Sequence, residues 1–549
     1  MLSRIICLFA LNLCLSGLAV TAVCQTKQAS EAEKWREDLA VMAARMEATH
    51  KNLYHSVTRE DFAAAVKKLD ARIPSLPRHR IIVEMMRIVA MVGDGHTNIY
   101  PTRDQKIGFH SLPVKLYLFS DGMFIRAAER KYADIVGARV VKIGSVGVDE
   151  AVARAGEIVG HDNEMGVRFF APVLLAMPEV LEALGLSYSV ERASLTVEKD
   201  GKQRVVELPA AGLVEMTAAD TDLSWVLKEG WVDMRENAPE TLWLRDPKNM
   251  FWFEYLRESK VVYAQINQIG NKGDESLASF SKRLFDFVDA NPVDKLVVDL
   301  RLDRGGNGSL LTPLEIAMVK SKIDQRGKLF ILTGRSTWSA AQFLLDWAER
   351  YTNAIFVGEP SASRGNAYGD SRRITLPNSG VTARASVYYW QDWHPTDARP
   401  WSAPEITAEL SSAEYASGRD PALRAALEFR ARPTLAEVLD NAVTAGGGEM
   451  AAKRFREFRS DRVNKYADAE QPLLEAGQRL LNEKKPDQAL LLFRLVQELN
   501  PRSYSGHYAA GVANAELGKK EEAAKDLKRA LELYPRNFDV TSLIEKLNR

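Results

Sequence analysis

Between about residues 250 and 430 the chain alternates short apolar runs with segments of helical period. The runs are Val261–Ile266, Lys295–Leu300, Lys328–Leu332 and Ala354–Gly358. The helical segments between them fall at about 274–289, 310–322 and 339–351. That rhythm predicts an α/β domain with a largely parallel sheet. Ligands of such sheets bind beyond the carboxyl ends of the strands. Chemistry is therefore expected in the segments that follow Leu300, Leu332 and Val357.

A chain of 549 residues is too long for one core, and its length points to roughly three or four domains. Residues 30–100 read as helical: Trp35, Leu39, Met42 and Met46 recur at helical spacing, as does the run Ile81 to Val92. Ser56 to Asp61 supplies a helix start before Phe62. From about 106 to 210 the pattern turns to strands, with helical material at about 148–186. Leu195–Glu198 and Val205–Leu208, joined through Asp200-Gly201, read as a hairpin. Near the C-terminus Gly477, Ala489, Val496, Leu499 and Pro501 recur 34 positions later as Gly511, Ala523, Ala530, Leu533 and Pro535. This period is the tetratricopeptide pattern, over about 473–539. Stacked helix pairs of this kind commonly present a concave peptide-binding face, or serve as a bundle that supports a neighbour. A helical connector precedes them, with Gly446-Gly447-Gly448 as its expected hinge.

Lys+Arg and Asp+Glu both number 73, giving zero formal charge. This argues against nucleic-acid binding by general electrostatics. Arg4 precedes an uncharged run from Ile5 to Val20, with small residues following it. The segment reads as a secretory signal peptide, so the protein is expected to be secreted or periplasmic. An uncleaved anchor and a lipid-modified Cys24 are the alternatives; the run is short for a membrane span. All three cysteines (Cys7, Cys14, Cys24) lie in this segment. The mature chain therefore has no internal disulfide, no thiol nucleophile and no cysteine metal site.

The strand ending at Leu332 runs through Thr333-Gly334-Arg335-Ser336-Thr337-Trp338 into a helix that starts near Ser339. A serine there stands at the top of the sheet and at the positive end of a helix, where N–H groups are unpaired. That placement suits a nucleophile whose attack creates an oxyanion. A helix cap is the alternative role. Val298-Asp299-Leu300-Arg301 leads into Gly305-Gly306-Asn307-Gly308, a loop able to present backbone N–H groups. It lacks the Gly-Lys-Ser/Thr ending of a phosphate loop. No His-Glu-x-x-His or paired-cysteine set appears, so no metal and no cofactor is expected.

Asp-Leu-Arg with a glycine pair, a Ser-Ala-Ala turn and then Val357-Gly358-Glu359-Pro360 resembles the tail-specific (C-terminal processing) serine peptidase family. The resemblance spans roughly 30–410 and is strongest in 295–407. Taken with the leader and the repeats read above, it implies a multidomain α/β chain: signal peptide 1–24, helical region 25–105, PDZ-like β-rich module 106–210 with a helical insertion, α/β peptidase core 211–432, connector 433–466 and all-α tetratricopeptide repeats 467–549. Ser339 matches the family's nucleophile, and the N–H groups of Gly306 and Ala340 match its oxyanion hole. One branch uses a lysine 25 residues after the serine, where this chain has Arg364, which cannot accept a proton. The branch similar to tricorn-type peptidases uses a histidine, and His96 fits, with Gly95 in place of that branch's serine. Asp397 is the expected orienting acid, Glu359 the reserve, and His394 the fallback base. The implied activity is peptide-bond hydrolysis through an acyl-enzyme. The implied partners are peptides or unfolded proteins, and a protein at the repeats. A degenerate peptide-binding relative and a repeat-based docking protein are the other two readings.

Overall fold

The computed structural model describes residues 30–215, 224–535 and 537–547. The N-terminal segment and its three cysteines lie outside them. Three helices come first, Glu31–Thr49, Arg59–Arg72 and Arg78–Ala90. Ser30 and Glu33 form a capping box on the first, and Thr58 caps the second by accepting from the Asp61 N–H at 3.0 Å. A mainly antiparallel sheet follows, ordered Val114–Phe119, Gly122–Glu129, Arg139–Ile143, Arg192–Lys199, Lys202–Pro209. Its last two strands pair through the Asp200-Gly201 turn in the expected register. Helices Val148–Gly156, Glu164–Leu174 and Pro178–Ala183 form the insertion. Segments 25–105 and 106–210, expected as separate units, share one core: Met42, Ile82 and Val89 pack with Met123, Val140 and Leu175. Each apolar face is too narrow to close alone, so the helices cover the sheet.

The second sheet is ordered Ile406–Thr407, Ile355–Gly358, Leu329–Thr333, Lys295–Asp299, Val261–Ile266, Phe251–Leu256. All neighbours are parallel except the last pair. Alternate residues serve opposite faces. Leu329 and Ile331 pack under helices Leu277–Ala290 and Ala340–Tyr351, whereas Phe330 and Leu332 pack with Ala422 and Ala426. The carboxyl ends of the central strands thus converge on one rim, with a crossover helix leaving from each.

One element has no counterpart in the sequence reading. Asn366–Thr375 and Thr382–Gln391 form a two-stranded antiparallel ribbon. Its far end (Ile374, Leu376, Val381, Ala383, Ala385) is buried in the N-terminal core. The ribbon is rich in Arg, Asp and Ser along one strand, which hides its period, and its apolar positions find their partners some 300 residues upstream.

At the C-terminus, Leu435–Ser460 bends at Gly446 and Gly447. Helices Glu470–Asn482, Pro486–Leu499, Tyr504–Glu516 and Lys520–Leu533 carry the repeats. The connector shares their core: Leu439, Val443 and Phe455 pack with Leu473 and Phe493. The Tyr466 hydroxyl donates to Glu409 at 2.8 Å, and Arg399 reaches Asp468, so the bundle is tied to the α/β domain. Among the described residues no helix is long and apolar enough to cross a membrane.

Candidate active site

Ser339 follows a tightly tied turn. Thr337 Oγ1 donates to the Leu300 carbonyl at 2.8 Å and accepts the Gly334 N–H at 3.0 Å, holding the turn to the neighbouring strand. Ser339 itself has φ 58° and ψ −124°, a conformation costly for a residue with a side chain. The helix begins at Ala340, yet the Ser339 side chain does not cap it. The hydroxyl instead lies 3.0 Å from His96 Nε2. Backbone strain is thus spent on pointing Oγ away from the helix.

The loop beside it carries the two glycines whose backbone could donate to an oxyanion. Gly305 has φ 99°, and a Cβ there would lie 2.7 Å from both Ser339 Cβ and the Ala340 nitrogen. Gly306 has φ 135°, and a Cβ there would meet the Ile269 carbonyl at 2.0 Å. The bonds Ile269 N–H to Gly305 O and Asn307 N–H to Ile269 O, both 2.8 Å, flank Gly306. In that bridge the Gly306 N–H points away from Ile269. Ala340, as first helical residue, has an N–H without an acceptor inside the helix. Gly306 is exposed, so a carbonyl oxygen can approach from solvent.

His96 sits on the loop after the third helix. Asp94 fixes that loop, accepting the His96 and Thr97 N–H groups at 3.0 and 2.8 Å and the Ser386 hydroxyl at 2.8 Å. Burial alone would raise the Asp94 pKa, but bonds from His50, His55 and Ser386 hold it well below the usual range. The His96 ring stacks on Trp338, centroids 4.0 Å apart. Gly95 donates to Asp162 at 2.9 Å, and a Cβ on Gly95 would lie 3.0 Å from the Trp338 indole nitrogen. A side chain at 95 would press on the indole on which His96 rests, and the ring would have to give by a few tenths of an ångström. Asp162 is buried, and burial with the nearby Asp94 charge pushes its pKa up to about 7.

Burial pushes the His96 pKa down to about 4, against the pull of Asp94 and Asp370. Its Nδ1 is buried and makes no hydrogen bond of full geometry among the described residues. The Tyr368 backbone is a polar group that favours protonation of the ring. A base must be neutral to accept a proton, and a lowered pKa keeps it neutral to lower pH. The acid limb of a kcat/KM profile is therefore expected near pH 4, well below the 6.5 of an unperturbed imidazole. A limb at 6 or above would show that a different group, or an exposed ring, takes the proton.

The two carboxylates expected to orient His96 are engaged elsewhere. Asp397 is bonded to Arg399 at 3.0 Å, and Arg399 also holds Glu349 and Asp468. Glu359 is locked by the buried Arg335, which also donates to the Leu118 carbonyl at 2.7 Å. The reason is charge: each acid lies beside a guanidinium, and burial of either partner alone would be costly. Asp397→Asn is expected to leave the acid limb in place and kcat/KM within about two-fold; a shift of the limb would restore Asp397 to the histidine. His394 is bonded to Thr396 at 2.7 Å and packs towards Tyr534. Arg364 donates to the Asp162 carbonyl at 2.8 Å, bracing the segment that holds Gly95. The sequence reading missed Trp338, Asp162 and Ser386. Trp338 adjoins Ser339, but only its ring contact reveals its use; Asp162 and Ser386 carry no local signal.

One cluster among the described residues has metal-ligand character: His50, His55 and Asp94. His50 Nδ1 accepts the Asn52 N–H at 3.0 Å, so its Nε2 bears the proton and faces Asp94 at 2.9 Å. That nitrogen has no lone pair to give a metal in this arrangement.

A tetratricopeptide repeat model matches residues 504–537. No curated protein matches the chain. Among solved structures, a serine-to-alanine mutant of CPAF superimposes with TM-score 0.51 at 11% identity, covering 73% of this chain and 99% of that one. Mature CPAF complexed with lactacystin gives 0.49 at 11% identity, covering 70% and 96%. The photosystem II D1 C-terminal processing protease gives 0.32 at 12% identity, covering 72% and 99%. The first of these establishes a shared fold over about three quarters of the chain.

Proposed function

We propose that this chain is an exported serine-type endopeptidase built on the fold it shares with CPAF. The observation that carries the reading is a hydroxyl on a strained residue just before a helix, 3.0 Å from a part-buried imidazole. Ser339 Oγ attacks a peptide carbonyl carbon while His96 Nε2 takes its proton. The Gly306 and Ala340 N–H groups bind the oxyanion as the tetrahedral intermediate forms. His96 then protonates the departing amine, the C–N bond breaks and an ester to Ser339 remains. Water, deprotonated by the same histidine, releases the acid and restores the hydroxyl. Trp338 holds the imidazole in plane throughout.

Export rests on the uncharged run from Ile5 to Val20. Tetratricopeptide repeats commonly mediate protein–protein contacts, and the repeat at 504–537 supports a protein partner there. A fluorophosphonate probe tests the central claim. The expected result is a single adduct on the peptide containing Ser339, together with cleavage of an unstructured polypeptide such as casein. Failure of both would leave a peptide-binding relative without catalysis.

A further inference from the structure

Next to the reacting groups lies an aromatic surface that the hydrolytic steps do not use. Phe343, one helical turn beyond Ser339, lies against the oxyanion loop: a Cβ on Gly308 would meet its ring at 2.9 Å and Ala340 Cβ at 3.8 Å. Trp390 packs on Phe343 with centroids 5.2 Å apart at 56°. Trp390 also lies over Gly369, where a Cβ would be 3.1 Å from the indole and 3.8 Å from His96 Cε1. Tyr388 extends the surface, 5.8 Å from Trp390. The patch therefore runs without a break from the oxyanion loop to the general base.

Its exposure is unusual for such residues. Tyr388 is 56% exposed and Trp390 39%, although both rings belong to a well-paired strand. The polar end of the indole is already satisfied, since Nε1 donates to Asp370 at 3.0 Å. What faces solvent is carbon. Aromatic faces left open beside a reaction centre are suited to an apolar side chain that arrives with the substrate.

Resting on the peptidase reading above, we infer that Phe343 and Trp390 form the wall that selects the residue donating the scissile carbonyl, and that this residue is large and apolar. The carbonyl oxygen must sit at the Gly306 and Ala340 N–H groups. The side chain of the same residue branches from the carbon next to the carbonyl, within a few ångströms of the helix turn and loop that Phe343 bridges. A leucine or phenylalanine there covers the Phe343 and Trp390 rings and leaves water. A charged or very small side chain gains nothing from that face. The expected discrimination is about 10- to 100-fold in kcat/KM, the worth of burying one large apolar side chain.

The test uses the full-length protein and fluorogenic peptides that differ only at the residue before the cleaved bond: Leu, Phe, Gly, Asp or Lys. Leu and Phe are expected to exceed Gly and Asp at least 10-fold. Phe343→Ser and Trp390→Ser are expected to lose most of that preference, with fluorophosphonate labelling of Ser339 reporting that the site is still assembled. Trp390 lies on an exposed strand, so its variant serves if the helix variant fails to fold. Ser339-dependent cleavage that favours charged or small residues, or a preference unchanged in both variants, would overturn the wall while leaving the hydrolase intact. Absence of both cleavage and labelling in the unmodified protein would remove hydrolase and wall together.

Discussion

Replacing Ser339 with alanine is expected to abolish peptide hydrolysis, by about 10⁴- to 10⁶-fold in kcat, with no loss of stability. In the proposed mechanism the hydroxyl is the attacking group, and removing it leaves His96 with nothing to deprotonate at 3.0 Å. The hydroxyl makes no helix cap, so its loss leaves no orphaned N–H. The backbone strain persists in alanine, because it arises from Cβ at φ 58°. Glycine separates the two properties. Ser339→Gly is expected to be equally inactive yet more stable, by about 1 kcal/mol, because glycine tolerates that conformation. Casein cleavage and chemical denaturation of the three proteins check this. Activity in the alanine protein would take Ser339 out of the mechanism, and a destabilised glycine protein would deny that the turn is strained.

Gly305→Ala is expected to damage catalysis and folding together. At φ 99° an alanine is strained by about 1–3 kcal/mol before any contact is counted. Its methyl group would also lie 2.7 Å from the Ala340 nitrogen and from Ser339 Cβ, and 2.9 Å from the Trp338 carbonyl. All three belong to the segment that carries the proposed nucleophile, one proposed oxyanion donor and the ring under His96. Relief requires the glycine loop and the helix start to move apart, by several tenths of an ångström or more, which separates the Gly306 and Ala340 donors. The expected outcome is a loss of about 2–4 kcal/mol in stability and at least about 100-fold in kcat, the scale of losing one oxyanion donor. Urea denaturation and peptide kinetics measure the two effects. A stable, active Gly305→Ala protein would show that the loop and helix are not apposed.

Much of this arrangement was legible in the chain. The runs ending at Leu300, Leu332 and Val357 became adjacent parallel strands, because continuous apolar runs between helices leave few alternatives. Gly477 and Gly511 stand where helices meet closely, against Phe493 and Leu527, which is why the 34-residue spacing was readable. His96 and Ser339 came together as the family resemblance implied. The acids were misjudged for a physical reason: spacing along the chain says nothing about which guanidinium lies nearest, and Arg399 and Arg335 took Asp397 and Glu359. The ribbon Asn366–Gln391 went unread because Asp370, Ser371, Arg372 and Arg373 interrupt its first strand and hide the apolar period, while Ile374, Leu376 and Val381 find their partners only in the distant N-terminal core.

What the amino-acid order determined by itself was local: where strands end, where a helix begins with a serine, and where small residues let helices touch. Those features follow from hydrophobic period and steric limits within a few residues of each position. The pairing of two groups 243 positions apart was decided only in three dimensions. It required the ribbon to bury Ala383 and Ala385 in the N-terminal core while presenting Gly369 beside His96. It also required Ser386 and Asp162, from two different segments, to pin the histidine loop through Asp94 and Gly95. Such contacts depend on how whole faces pack against one another, and no stretch of sequence carries that information alone.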